Sequence, residues 1–230
     1  MEALTAMTPT VLEQVRRGHR NLFDLVIGLH AGTLRQPTLL PGWTRGHVLA
    51  HLAHNARALT RVTVHASRGE LVENYPDGDR DEAIERDARR EAGELVRMLT
   101  AHQEELEAVW EGLSGEDWDR PVKFRDGTVG DLLLCRWREN EIHAVDLLLG
   151  RTEEDWSPEF SEHAIDFLSP RLEGSDVTVA PDDLDRAWSF GTGRARLNGS
   201  CRTLACWMAG RPPQQLPASE GPLPDLGPWP

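Results

Sequence analysis

Residues 128–150 read TVGDLLLCRWRENEIHAVDLLLG, and this stretch decides the fold. Thr128 is a helix N-cap, the apolar residues that follow recur at helical spacing, and Gly150 supplies a stop, which predicts a helix to about Leu149. At about 100° per residue, and with Glu139 as zero, His143 lies about 40° round and Asp146 about −20°, so the three share one polar stripe on an otherwise apolar helix. A Glu and a His one turn apart can hold one ion, the same device as the i, i+4 histidine pair of helical zinc sites with a carboxylate in place of one imidazole. The same spacing also describes a plain intrahelical ion pair.

Three further helical patterns precede it. Residues 11–29 carry Leu12, Val15, Leu22, Leu25, Val26 and Leu29, with Thr8 and Pro9 as a start signal. Pro37, Pro41 and Gly42 make residues 34–43 a connection, after which Thr44 caps a second helix over residues 45–67. Residues 81–113 alternate acidic and basic side chains over Ile84, Leu95, Met98, Leu99, Leu106 and Val109, which predicts one long surface helix with a single buried stripe. Four such helices make a bundle. After Gly150 the pattern changes to a short helix at 159–168, strands at 177–180, 188–190 and 195–197, and a helix at 201–209, with an extended or loose Pro- and Gly-rich tail from Pro212. The fold class is therefore mostly α, with a four-helix bundle over residues 1–150 and a small α+β domain over residues 151–230.

Charge and composition narrow the function. With 25 Lys and Arg against 38 Asp and Glu the net charge is −13, which offers no basic footprint for nucleic acid. No apolar run approaches the ~20 residues that span a bilayer, and residues 1–10 lack the pattern of a secretory signal, so the expected setting is cytoplasmic, away from membranes. Cys135, Cys201 and Cys206 form neither a CxxC pair nor a disulfide framework, so a metal here must be held by His and carboxylate. Lys123 is the only lysine, an arginine skew that points to a GC-rich, actinobacterial genome.

The second helix offers His47, His51 and His54. Measured from the mean direction of Val48, Leu49, Leu52, Leu59 and Val62, His51 lies about 85° away, while His47 and His54 lie about 125° and 145° away. His51 thus faces the bundle edge best, and the other two are expected to face solvent. His51, Glu139 and His143 complete a three-ligand set that leaves a position open, as catalytic rather than structural metal sites do, and the set favours zinc among divalent ions.

Four segments carry a family resemblance: LPGWTRGHVLAHLAHN at 40–55, YPDGDRDEAIERDARR at 75–90, RWRENEIHAVDL at 136–147 and RLNGSCRTLACWMAGR at 196–211. In these the chain resembles the mycothiol-dependent maleylpyruvate isomerases, which belong to the DinB-like metal-binding four-helix bundles, and the likeness extends over nearly all 230 residues. The resemblance implies a metal triad at His51, Glu139 and His143, a functional acidic residue at Asp146 and a functional arginine at Arg211. Arg194, Arg196 and Arg202 are alternative cations for a substrate carboxylate, Arg136 is a further candidate one turn before the ligands, and Arg211 can equally cap the helix it follows. It also implies the small thiol mycothiol as cofactor and an electrophilic substrate, isomerised by thiol addition, bond rotation and elimination. A mycothiol S-transferase acting on other electrophiles shares the same site and is the alternative; a bundle that only binds a ligand is the third. The metal would either activate the thiol or stabilise the enolate. No protein cysteine is required, although Cys135 lies on the stripe of Glu139.

Overall fold

The computed structural model describes residues 2–76 and 78–230, so Asp77 of the second motif lies outside the described residues. The chain divides into two compact units, Met1–Leu149 and Gly150–Pro230.

The first unit is built on four long helices: α1 (Glu2–Val26), α3 (Arg45–Ala66), α5 (Ala92–Glu111) and α6 (Val129–Asp146), with the short α2 (Ala31–Leu34) and α4 (Arg80–Asp87) between them. Helix α3 packs on α4, α5 and α6, and α1 packs on α5 and α6. One apolar core joins Leu22 and Val26 of α1 to Leu49 and Leu52 of α3, Ile84 of α4, Leu95 and Leu99 of α5, and Leu147. The interior also holds a polar array. Arg136 is fully buried, its Nε donates to His19 Nε2 at 3.0 Å, and its Nη1 donates to Leu52 O and Asn55 Oδ1, each at 2.9 Å. His19 Nδ1 meets Glu107 on the other side. Burial drives His19 down to about 4, so it is neutral and accepts from the arginine.

Three boundaries differ from the sequence reading. Helix α1 begins at Glu2, not near residue 11, so Pro9 lies within it. The long helix expected over residues 81–113 is two helices, broken after Asp87. The break is tertiary: Asp87 is buried against His54 at 2.9 Å and Arg90 at 2.8 Å, and the Ala88 carbonyl closes on Gly46 so tightly that a Cβ there would lie 2.6 Å from it. Helix α6 ends at Asp146, because Arg45 donates to the carbonyls of Leu147 at 2.7 Å and Leu148 at 2.9 Å, and Leu148 turns left-handed at φ 53°.

The second unit contains α7 (Pro158–Leu168), α8 (Cys201–Met208) and a four-stranded sheet of order β2-β1-β3-β4, formed by Trp188–Ser189, Val177–Pro181, Ala195–Gly199 and Ala218–Ser219. Strands β1 and β3 run parallel, with Val179 opposite Leu197, and both outer pairs are antiparallel. Ser157 and Ser200 cap the two helices by accepting from Phe160 N and Thr203 N at 3.1 Å each. The tail from Pro212, expected to be extended or loose, is extended and docked. Its β4 pairs with β3, and Gly227 exchanges backbone and side-chain hydrogen bonds with Arg171 at 2.8 and 2.9 Å. Among the described residues no helix is long and apolar enough to cross a membrane.

Candidate metal centre

Helix α6 is held at both ends, which fixes the direction of its polar stripe. At its start Thr128 and Asp131 form a reciprocal capping box, with Thr128 N donating to Asp131 Oδ2 at 2.8 Å; at its end Arg45 ties down the last carbonyls. Helix α3 lies alongside and brings His51 to that stripe. His51 Nε2 is 2.7 Å from Glu139 Oε2, and His143 Nε2 is 3.3 Å from the same oxygen. The two rings stand 4.9 Å apart and nearly perpendicular at 81°, with Trp43 set edge-on to His51 at 5.6 Å. His51, Glu139 and His143 each offer a donor atom within 4.8 Å of the others.

This donor set fits a divalent ion. Ligands at about 2.0–2.1 Å in a tetrahedral site lie roughly 3.3 Å from one another, a spacing the His143 and Glu139 atoms already have. His143 turns its other nitrogen to Asp146, with Nδ1 2.8 Å from Oδ2, the carboxylate-to-imidazole contact that orients a ligating histidine and raises its basicity. Asp146 itself is fully buried. His51 differs: its Nδ1 accepts from Arg80 Nη2 at 3.2 Å.

The electrostatics follow from these contacts. Burial works to neutralise Glu139, but the two imidazoles outweigh it and hold the carboxyl well below its usual range. Burial lowers His51 despite Glu139, leaving a neutral ring. For His143 burial also pulls down, yet Asp146 and Glu139 together prevail and raise it to about 9. A carboxylate anion between imidazoles that must give up a proton is the state that a cation displaces on binding.

Of the other sequence candidates, His54 does not face solvent. It is buried on Asp87, because α3 is covered by α4 and α5 on the side that the apolar phase left open. His47 is likewise half-buried, its Nδ1 at 2.7 Å from Thr44 Oγ1 at the start of the same helix. Arg136 is part of the bundle interior and so is no surface cation. Cys135 is buried, which pushes its thiol up to about 11, far from nucleophilic at neutral pH. Arg211 lies in the second unit, where Nη1 donates to Ala209 O at 2.7 Å and the guanidinium lies 5.6 Å from the Trp229 ring centroid. Sequence reasoning missed Arg80 and Tyr75, although both stand in a segment quoted above. Arg80 lies 6.0 Å from the centroid of the Tyr75 ring, and Tyr75 is the single tyrosine of the chain.

Residues 15–148, more than half of the chain, match the sequence model of the mycothiol maleylpyruvate isomerase N-terminal domain. The chain belongs to this family. Two solved structures share the fold over 95% of this chain and 95% of theirs: the mycothiol-dependent maleylpyruvate isomerase, at TM-score 0.85, and a histidine-to-alanine mutant of that enzyme, at 0.84, both 23% identical to the present sequence. No curated protein matches it in a sequence comparison. The family domain thus covers the bundle, including all three donors of the centre, and the fold likeness extends through the α+β unit.

Proposed function

We propose that the chain is a mycothiol-dependent, metal-assisted isomerase that converts maleylpyruvate to fumarylpyruvate. The observation that carries this reading is the compact His51, Glu139 and His143 donor set, oriented by Asp146, within the domain that defines the family. These three side chains would hold one divalent ion, zinc by the chemistry of the donors. When bound, the ion supplies Lewis acidity to the thiol or to the enolate oxygen. The cis double bond of the substrate is opened by addition of the thiol, with its electron pair moving onto the conjugated carbonyl. The resulting single bond rotates, and return of that pair expels the same thiol, so no atom or electron is gained or lost.

The protein's own groups orient and neutralise. Asp146 accepts from His143 Nδ1–H and fixes its tautomer, leaving Nε2 as the donor atom. The Trp43 ring walls one side of His51. Arg211 is assigned to a substrate carboxylate, for which a planar guanidinium is suited. The three cysteines are buried and none is in a disulfide, consistent with a thiol supplied in solution and with a reducing, cytoplasmic setting.

The test is to incubate zinc-loaded protein with mycothiol and maleylpyruvate and follow the trans product by NMR. Isomerisation should need the thiol. His51→Ala and His143→Ala should lose both metal and turnover, while Arg211→Ala should keep its metal and lose about 10²- to 10³-fold in kcat. A metal-replete wild type that leaves maleylpyruvate unchanged refutes the proposal, and consumption of alkylating electrophiles by the same protein would make it a thiol transferase.

A further inference from the structure

Both nitrogens of His51 are engaged: Nε2 faces Glu139 at 2.7 Å and Nδ1 accepts from Arg80 Nη2 at 3.2 Å. A guanidinium has only donors, so Nδ1 must carry a lone pair in this arrangement and the ring proton sits on Nε2. Nε2 is also the atom that points into the donor cluster. To ligate an ion it must surrender that proton, and a neutral imidazole then carries its hydrogen on Nδ1. Two N–H groups would face each other at His51 and Arg80, where a hydrogen bond had been.

Arg80 is built to leave. It opens α4 at the end of the loop that contains Tyr75, and its side chain is 37% exposed. Its Nη1 is anchored separately, 2.6 Å from Asp81 Oδ1, and its guanidinium lies against the Tyr75 ring. Rotation about that anchor frees Nη2 while the cation stays at the rim of the centre.

We propose that Arg80 is a substrate-anion residue of this centre: loading a metal on His51 Nε2 strips Arg80 Nη2 of its acceptor, and the released guanidinium takes a carboxylate of the substrate. The assignment rests on the isomerase reading for its dianionic ligand. It makes the anion site conditional on the metal, because without the ion the guanidinium is occupied by His51. It also accounts for the different surroundings of the two ligand histidines, since Asp146 prepares His143 for the ion whereas Arg80 must give His51 up.

Calorimetric titration of maleate, an unreactive cis-dicarboxylate, into the protein tests this without turnover. Zinc-loaded wild type should bind it and metal-free wild type should not. Zinc-loaded Arg80→Met should bind it about 10- to 100-fold more weakly, the loss expected for a charged hydrogen-bonded contact, and Arg80→Lys should recover only part. Zinc affinity, measured against a chromophoric chelator, should be unchanged or tighter in Arg80→Met, because the opposing donor is gone. Equal maleate binding by wild type and Arg80→Met overturns the inference, as does weaker zinc binding in the variant, which would make Arg80 a support for His51. A crystal structure of the zinc-loaded protein with Arg80 Nη2 still at hydrogen-bond distance from His51 Nδ1 overturns it too. A wild type that isomerises maleylpyruvate yet shows no zinc-dependent maleate binding refutes the role of Arg80 alone, whereas a metal-replete wild type with no isomerase activity refutes the functional reading.

Discussion

The bundle contains the same chain of groups twice, arginine to imidazole to carboxylate, and the two differ in what else holds the arginine. In the interior, Arg136 donates to His19, which meets Glu107, while Leu52 O and Asn55 Oδ1 take a second arm of the guanidinium. At the centre, Arg80 donates to His51, which meets Glu139, and the second arm rests on Asp81, whose side chain is 86% exposed. The first array has no route to change partners: Arg136 is fully enclosed, and burial alone brings it down to about 10. The second borders solvent. Identical chemistry is thus a strut where the arginine is surrounded by backbone and amide acceptors, and a movable part where its other support is a surface carboxylate.

The sharpest way to break this comparison is to make one substitution in both arrays. Arg136→Met should cost about 3–5 kcal/mol in urea unfolding, since it leaves His19, Asn55 and the Leu52 carbonyl without their buried donor. Arg80→Met should stay within about 0.5 kcal/mol of wild type, as surface substitutions do. Equal losses would end the distinction between strut and movable part. A smaller effect is expected at the contact that the interior array lacks: Asp146→Asn should weaken zinc binding about 10- to 100-fold in a chelator competition, because His143 loses its carboxylate partner.

A more gradual effect is in pH. His19 has a folded value of about 4 against an unfolded value near 6.5, so the unfolded chain takes up the proton first. Its contribution to stability is full above pH ~6.5 and is lost as pH falls toward 4, with a slope of at most about 1.4 kcal/mol per pH unit for one proton. The groups that face it are Glu107 on α5, Arg136 on α6 and Arg20 on its own helix. In chelator-treated protein, melting curves between pH 7.5 and 4.5 should show this decline, and His19→Gln should make it shallower. An unchanged slope would mean that the interior array does not hold a neutral imidazole.

Much of this was legible in the sequence where the information is local. The stripe of Glu139, His143 and Asp146 follows from spacing along one helix, and the Thr128 cap and the Gly150 stop lie within a few residues of the ends they signal. What failed was decided by distant contacts. Residues 81–113 keep helical periodicity throughout, and only the pull of His54 on Asp87 and the approach of Gly46 to Ala88 break them into α4 and α5. The exposure assigned to His54 failed because an apolar phase gives one buried direction, whereas α3 is covered on several sides by other helices. Strand β4 has two residues, and its pairing to Leu197 and Asn198 leaves no period to read. Tyr75 stands in the loop before α4 and Arg80 is the first residue of that short helix, where no repeat reports direction.

The closeness of Gly46 to the Ala88 carbonyl has a mechanical reading. Helix α4 is a lever of two turns whose fulcrum is its C-terminal end, clamped backbone to backbone at Gly46 and bolted by His54 to Asp87. Arg80 rides at the free end. A methyl group at residue 46 would wedge the fulcrum open and swing the far tip, so the smallest residue in α3, five positions before His51, sets the aperture through which the arginine works.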